Sequence, residues 1–231
     1  MTRSGVPEST KRKQSCTDVL VLPRETFRGW DRFVRCETFF GFENFGSQAA
    51  WLPREQAEKS RTWVQTIPCA LIRNHSKRYL ALRRIRNTRA DLKSRVSLLV
   101  GGHVDAPASV VPFAESLVRA LFREIEEEVR LSDLEEVQPI GVIIDPSSIP
   151  ASRHIAFVYE VSTASKPITK AREEFSSRSK YSGRFYDSNE LSRFHAILDP
   201  WSAILFEDYI SSGQRLCSKQ QTQMPFMRRV P

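Results

Sequence analysis

A dense group of glutamates near the middle of the chain is the feature that most constrains its fold and chemistry. Glu124, Glu127 and Glu128 lie within Arg123–Leu131 at spacings of three and four residues. On an α-helix these spacings place the three carboxylates on one face, where like charges repel. A divalent cation would remove the repulsion, and Mg²⁺ prefers oxygen ligands of this kind. The cluster therefore predicts a helix that presents a metal site.

The opposite face of the same predicted helix is apolar. Its large apolar residues recur at four-residue steps, at Leu117, Leu121, Ile125 and Val129. This period is typical of a helix that packs one side against a core. We expect the helix to cover residues 111–129, after a glycine pair and a loop.

The glutamate segment resembles the Nudix box, which is G-x5-E-x7-R-E-U-x-E-E-x-G-U in one-letter code, with U a bulky apolar residue. Glu115, the seven residues after it and Arg123–Leu131 follow that pattern with two departures. Twelve residues instead of five separate Gly102 from Glu115, which we interpret as an extended surface loop, because closure entropy rises slowly with loop length. Arg130 stands where the pattern has glycine, so we expect a local change of geometry at the helix end.

The resemblance implies an α/β protein built as an α-β-α sandwich with a mixed β-sheet. It also implies hydrolysis of a diphosphate bond in a nucleoside diphosphate derivative, a small molecule, with Mg²⁺ as the cofactor and Mn²⁺ as a substitute. The implied metal ligands are Glu124, Glu127, Glu128 and the main-chain carbonyl of Gly102. Arg123 is implied to orient a box carboxylate. Glu124 is the first candidate for the base that takes a proton from water.

Three alternatives stay open at this point. Some family members use a carboxylate outside the box, for which Glu173 and Glu174 are candidates, although a solvated loop is the simpler explanation for both. The chain could instead be a nucleotide-binding or regulatory module with weak or no catalysis, which only Arg130 and the long loop favour. Isomerisation of an isoprenoid diphosphate would need a further reactive residue, such as a placed cysteine, and the sequence identifies none.

The basic residues are concentrated in both tails and in one internal stretch. The net charge is +8, of which residues 1–17 carry +3 and residues 213–231 carry +4. We interpret both as poorly ordered basic tails and expect no specific nucleic-acid partner. Between Arg73 and Arg95, nine basic residues are opposed only by Asp91. Arginines there would neutralise a polyphosphate, and Arg84 and Arg95 are the leading candidates for contacts with the substrate.

The composition indicates a cytoplasmic protein with no membrane partner. No apolar run approaches twenty residues, and the N-terminus lacks an apolar signal-peptide core. The four cysteines are widely separated, which fits reduced thiols better than a disulfide framework. The sequence leaves open whether the protein forms a homodimer.

We divide the chain into the tail at 1–17, an aromatic-rich N-terminal extension at 18–65, the Nudix domain at 66–212 and the tail at 213–231. Alternation and turn signals predict strands at 66–73, 78–85, 96–100, 138–145, 154–162 and 183–187. Asp199 as N-cap, followed by Pro200, predicts the start of a last helix.

The N-terminal extension combines one predicted strand with many phenylalanine and tryptophan side chains. A strand is expected at 19–23, and the aromatic rings are expected to pack on the core rather than to stack on a nucleobase. The tetrapeptide Leu-Pro-Arg-Glu occurs at 22–25 and again at 52–55, and each copy predicts a helix start. Such an extension before a Nudix core resembles a group of largely uncharacterised bacterial Nudix-like proteins.

Overall fold

The structure is a computed structural model that describes residues 18–36, 39–85, 94–131, 133–147, 151–164, 168–169, 175–176, 179 and 181–212. The strands are β1 Asp18–Pro23, β2 Arg32–Arg35, β3 Ala50–Pro53, β4 Trp63–Asn74, β5 Tyr79–Arg83, β6 Val96–Ser97, β7 Leu99–Gly101, β8 Val129–Arg130, β9 Leu134–Ile144, β10 His154–Thr163, β11 Ile168–Thr169 and β12 Arg184–Tyr186. The α-helices are α1 Phe39–Glu43, α2 Arg54–Lys59, α3 Phe113–Glu128, α4 Ser188–Ser192 and α5 Pro200–Leu205. The predictions for Glu173, Glu174 and both tails fall outside the described residues.

Ten of the described strands form one mixed sheet, with the order β12-β5-β4-β10-β9-β2 along its main path. β4 and β10 pair in parallel from Gln65↔His154 to Asn74↔Thr163, whereas β9 runs antiparallel to β10. β4 is buried without interruption from Val64 to Ile72, as expected for a strand covered on both faces.

Helices cover both faces of this sheet, which confirms the predicted α-β-α sandwich. The stripe of α3, including Leu117 and Leu121, is buried in one core cluster. Ile204 and Leu205 of α5 belong to a second core cluster on the other face. Asp199 caps α5, and its carboxylate accepts a hydrogen bond from the Ser202 amide, as predicted. None of the helices in the described ranges is long and apolar enough to cross a bilayer.

The N-terminal extension is joined to the central sheet through its strands. β1 pairs antiparallel with β4 and β2 pairs antiparallel with β9. The aromatic rings pack on the core, where the Phe42 ring lies 5.0 Å from that of Phe157 and 5.3 Å from that of Tyr159. Arg32 donates from Nε and Nη2 to the two carboxylate oxygens of Asp208, each at 3.0 Å, and thereby ties β2 to the C-terminal helix.

Both copies of Leu-Pro-Arg-Glu span the start of a helix, as predicted. In each copy the proline stands just before the first helical residue. Pro23 precedes a single 3₁₀ turn, Arg24–Phe27, and Pro53 precedes α2. The fixed φ of proline suits a position at the beginning of a helix. The two tetrapeptides therefore share a proline directly before a helical segment, but they begin different kinds of helix at different places in the fold.

The predicted strand 96–100 is interrupted at Leu98. The Leu98 amide donates to Ser202 Oγ of α5 at 2.8 Å, so it is not available for pairing within the sheet. Ser97 Oγ in turn donates to the Leu99 carbonyl at 2.8 Å. The amino-acid pattern cannot show this break, because the competing hydrogen-bond partner lies about a hundred residues away.

The helix end at the position of the missing glycine has the local change of geometry that we predicted. α3 ends at Glu128, and Val129 is already extended at φ −133° and ψ 138°. Val129 and Arg130 then form β8, which pairs with β11. Because the chain passes directly from helix to strand, Arg130 does not need the left-handed conformation that favours glycine.

Candidate active site

The last two turns of α3 direct glutamates toward a cavity. The Glu124 side chain is 12% exposed, and Glu128 is 8% exposed as a whole residue. Both line the cavity, since residues four apart share a helix face. The Glu127 side chain is 59% exposed and lies at the solvent side of this pair. The structure thus brings two of the three predicted carboxylates together in a buried position.

Arg123 connects α3 to the loop that follows the glycine pair. Its Nη1 lies 2.8 Å from Glu124 Oε1 and 3.3 Å from Glu127 Oε2. Its Nη2 donates to the His103 carbonyl at 2.7 Å and lies 3.5 Å from Asp105 Oδ2. One guanidinium therefore fixes the orientation of the Glu124 carboxylate and the position of the loop at once.

Gly102 lies directly against the Glu124 carboxylate. A Cβ added at Gly102 would lie 2.2 Å from Glu124 Oε1, far inside the contact distance of the two atoms. Only a residue without a side chain leaves room for the carboxylate here. Gly101, one residue earlier, is enclosed instead by main chain, since its Cβ would lie 2.2 Å from the Pro68 carbonyl oxygen.

The cavity has a volume of about 430 Å³ and lies between α3, the glycine pair, the sheet and the start of α5. Its walls carry both acidic and basic groups, contributed by Arg54, Arg84, Asp105, Arg123, Glu124, Glu128, Asp145 and Asp199, together with His103, His154 and Trp201. Cavities of this size commonly hold small ligands. The mixture of acids and arginines suits a cation and an anion bound side by side.

Burial shapes the electrostatics around Glu124. Removal from water raises the pKa of its carboxyl group, Arg123 opposes this rise, and the neighbouring Glu127 adds to it. Burial also lowers the pKa of His103 to about 3, and the charges of Arg54 and Arg123 contribute to this decrease. His103 is therefore a neutral imidazole at the cavity wall.

The two arginines predicted to contact substrate have different surroundings. Arg84 lines the cavity, its guanidinium carbon lies 5.1 Å from the centre of the Phe175 ring, and its buried Nε makes no hydrogen bond with any described residue. Arg95 is exposed, donates from Nη1 to the Ala196 carbonyl at 2.8 Å and does not line the cavity. The role of each stays a prediction, and the placement favours Arg84.

Comparison with known proteins identifies the family of this chain. The NUDIX domain profile matches residues 63–208. The chain belongs to the Nudix family. It is 26% identical over 158 residues to protein YmaB of Bacillus subtilis (strain 168), which covers 67% of this chain and 75% of YmaB. The crystal structure of Tm1382, a candidate Nudix hydrolase, matches with a TM-score of 0.67 at 23% identity, covering 84% of this chain and 99% of that one, and it supports the fold alone.

The donor set of the cavity fits the divalent cation of the Nudix family. Glu124 and Glu128 lie on one helix face and line the same cavity as Gly102, so the carboxylates of α3 and the main chain of the glycine pair, which offer the hard oxygen donors that such a cation prefers, border one space. Within the described ranges, no three His, Cys, Asp or Glu side chains are grouped closely enough to hold an ion, and Arg123 is paired with Glu124 and Glu127. Binding a cation with Glu127 as a ligand would therefore require Glu127 to leave Arg123.

Asp145 is a cavity residue of this Nudix domain that sequence reasoning did not identify. It follows β9 directly, is only 5% exposed, and accepts a hydrogen bond at Oδ1 from the Ser147 amide at 2.9 Å. Its buried Oδ2 has no hydrogen-bond partner among the residues described here. A buried carboxylate oxygen without a partner is unfavourable, so a ligand group is the natural partner. In the sequence, Asp145 is only the last residue of the predicted strand 138–145.

Replacing Asp145 with asparagine separates a ligand-binding role from a structural one. The amide keeps the Oδ1 acceptor for Ser147 but removes the buried charge, so we expect the free energy of unfolding to rise by about 1 kcal/mol. Nucleotide affinity should fall in the same variant. Thermal unfolding and calorimetric titration with a nucleotide check both values. A less stable variant with unchanged affinity would assign Asp145 to the fold alone.

Cys69 is the one described cysteine that lines the cavity. Its Sγ donates to the Ile67 carbonyl at 3.5 Å, and burial raises the pKa of the thiol far above its usual range. A thiol that stays protonated is a poor nucleophile. The surroundings of Cys69 therefore do not favour the isomerase alternative.

Proposed function

We propose that this Nudix protein is a metal-dependent hydrolase that cleaves a diphosphate bond in a nucleoside diphosphate derivative. The observation that carries the proposal is the buried pair Glu124 and Glu128, which faces a cavity also lined by Arg84 and Arg123. Carboxylates that hold a cation, next to arginines that hold an anion, are the groups that phosphate chemistry needs.

The metal would be Mg²⁺, held by Glu124, Glu128 and the Gly102 carbonyl, with Glu127 as a further ligand once it leaves Arg123. Bound there, the ion would neutralise phosphate oxygens and make water a better acid. Mn²⁺ has similar demands on its ligands and is expected to substitute. Arg123 would keep the Glu124 carboxylate in place through its link to the His103 carbonyl.

Glu124 is the proposed base that takes the proton from the attacking water. It lies at the cavity wall, and burial raises the pKa of its carboxyl group, which makes it a better proton acceptor than an exposed glutamate. Arg84 would hold the phosphate that leaves, since Arg84 lines the same cavity and a guanidinium binds phosphate well. Arg95 is the weaker candidate for contact with the substrate, because its Nη1 donates to the Ala196 carbonyl.

The test is hydrolysis, followed by chromatographic separation of the phosphorylated products, of a panel of diphosphate compounds: nucleotide sugars, dinucleoside polyphosphates, oxidised nucleoside triphosphates and capped RNA ends. Each is offered with Mg²⁺, with Mn²⁺ and with EDTA. We expect turnover of one class that EDTA abolishes and added metal restores. Nucleotide binding without turnover of any compound would support the binding-module alternative instead.

A further inference from the structure

The N-terminal extension reaches the cavity through the loop after the glycine pair. Leu20 of β1 donates its amide to the Val104 carbonyl at 3.0 Å, and the Ala106 amide donates to the Asp18 carbonyl at 2.9 Å. These bonds hold residues 104–106, which directly follow Gly102 and His103. The extension is therefore continuous with the wall of the cavity, although the family profile begins only at residue 63.

One side chain of the extension lines the cavity itself. Arg54 is the first residue of α2, directly after Pro53, and it is part of the cavity wall. The side chain is 52% exposed and Nε donates to Glu58 Oε1 at 3.1 Å. Its Nη1 and Nη2 make no hydrogen bond to the described part of the chain. Nη1 and Nη2 of Arg54 therefore face solvent or a ligand. The planar guanidinium presents its N–H donors in a fixed arrangement that suits phosphate oxygens.

The other copy of Leu-Pro-Arg-Glu provides an internal comparison. Arg24 stands at the same place in that tetrapeptide and also begins a helical turn. Its Nε donates to the Arg61 carbonyl at 2.9 Å, and Arg24 does not line the cavity. The same four residues therefore place one arginine in a structural contact and the other at the candidate active site.

The two other arginines that line the cavity, Arg84 and Arg123, already have partners or a proposed role. Arg123 is engaged by Glu124, Glu127 and the loop, and Arg84 is stacked on Phe175 next to the proposed site of cleavage. A diphosphate held by a metal and by Arg84 leaves Nη1 and Nη2 of Arg54 without a hydrogen-bond partner among the described residues. A third phosphate on the same substrate would provide one.

We propose that Arg54 is a substrate-binding residue supplied by the N-terminal extension, and that it binds a phosphate beyond the diphosphate that is cleaved. The substrate class is then a compound with three or more linked phosphates, rather than a nucleotide sugar, in which a neutral sugar follows the second phosphate. This inference rests on the proposed function, which supplies the position of the cleaved bond.

The test compares Arg54→Gln with the matched control Arg24→Gln. With a nucleoside triphosphate or a dinucleoside polyphosphate, Arg54→Gln is expected to lower kcat/KM by about 10- to 100-fold, mainly through KM, because a charge-assisted contact is lost. With a nucleotide sugar the change should stay within about threefold, and Arg54→Lys should recover part of the loss. Arg24→Gln should behave like the parent. Thermal unfolding of each variant shows whether the fold is retained.

Binding of inorganic tripolyphosphate, followed by calorimetry in Mg²⁺, keeps this inference separate from the proposed function. Weaker binding by Arg54→Gln than by Arg24→Gln would support the subsite even if no compound were hydrolysed. The proposal is overturned if the parent does not bind tripolyphosphate, if Arg54→Gln lowers turnover of nucleotide sugars equally, or if Arg24→Gln has the same effect.

Discussion

Substituting glutamine for Glu124 is expected to lower kcat for diphosphate hydrolysis by about 10²- to 10⁴-fold, the usual contribution of a general base. Glutamine keeps the size of the side chain but can neither accept the proton nor bring a full charge to the metal. The variant should fold like the parent. Burial raises the pKa of the Glu124 carboxyl group because it disfavours the charged form, and glutamine is neutral. Turnover at saturating metal and substrate, measured beside thermal unfolding, checks the prediction.

Glu126→Gln is the matched control for Glu124→Gln. Glu126 lies on the same helix, is exposed, and does not line the cavity, so its replacement makes the same change of charge away from the proposed site. We expect kcat within about twofold of the parent, as for most surface substitutions. Equal losses in both variants would show that the overall charge of α3, rather than the Glu124 carboxylate, determines activity.

Gly102→Ala is expected to lower kcat nearly as far as Glu124→Gln does. The new Cβ would lie 2.2 Å from Glu124 Oε1, so the carboxylate must leave its position. Because a flexible side chain can move, the free energy of unfolding should fall by only about 1 kcal/mol. Turnover and thermal unfolding of the same preparation test both parts of this prediction.

Two further variants decide whether Gly102→Ala acts through Glu124. In a Glu124→Gln background, Gly102→Ala should cause little additional loss, because the two substitutions affect one group. Additive losses would contradict that explanation. Gly101→Ala should instead destabilise the fold, since its Cβ would meet the Pro68 main-chain oxygen in the central strand, which cannot move without disturbing the sheet.

The helix and its carboxylates could be predicted from sequence because their signals are local. The four-residue repeat from Leu117 to Val129 marks the buried face of α3, and the acidic spacing marks the other face. The same local pattern placed Glu127 with Glu124 and Glu128. In the structure the Glu127 side chain is 59% exposed and lies 3.3 Å from Arg123, whose guanidinium also bonds to the loop, a contact that periodicity does not contain.

The rest of the cavity could not be predicted because distant segments build it. Asp145 reaches the site through the pairing of β9 with β10, and Arg54 reaches it because β1 joins the extension to β4. In the sequence, Asp145 is only the last residue of a predicted strand, and Arg54 is only part of a predicted helix start. Sequence shows which residues can do phosphate chemistry, whereas strand register determines which of them meet.

The central claim is that the buried glutamates of α3 hold a metal ion that hydrolysis requires. The most direct measurement is Mn²⁺ binding, followed by electron paramagnetic resonance, in the parent, Glu124→Gln and Glu128→Gln, with turnover measured on the same samples. We predict that each substitution weakens Mn²⁺ binding by at least about tenfold and removes turnover with it. Undiminished Mn²⁺ binding in both variants, or full turnover of the parent in EDTA, would contradict the claim.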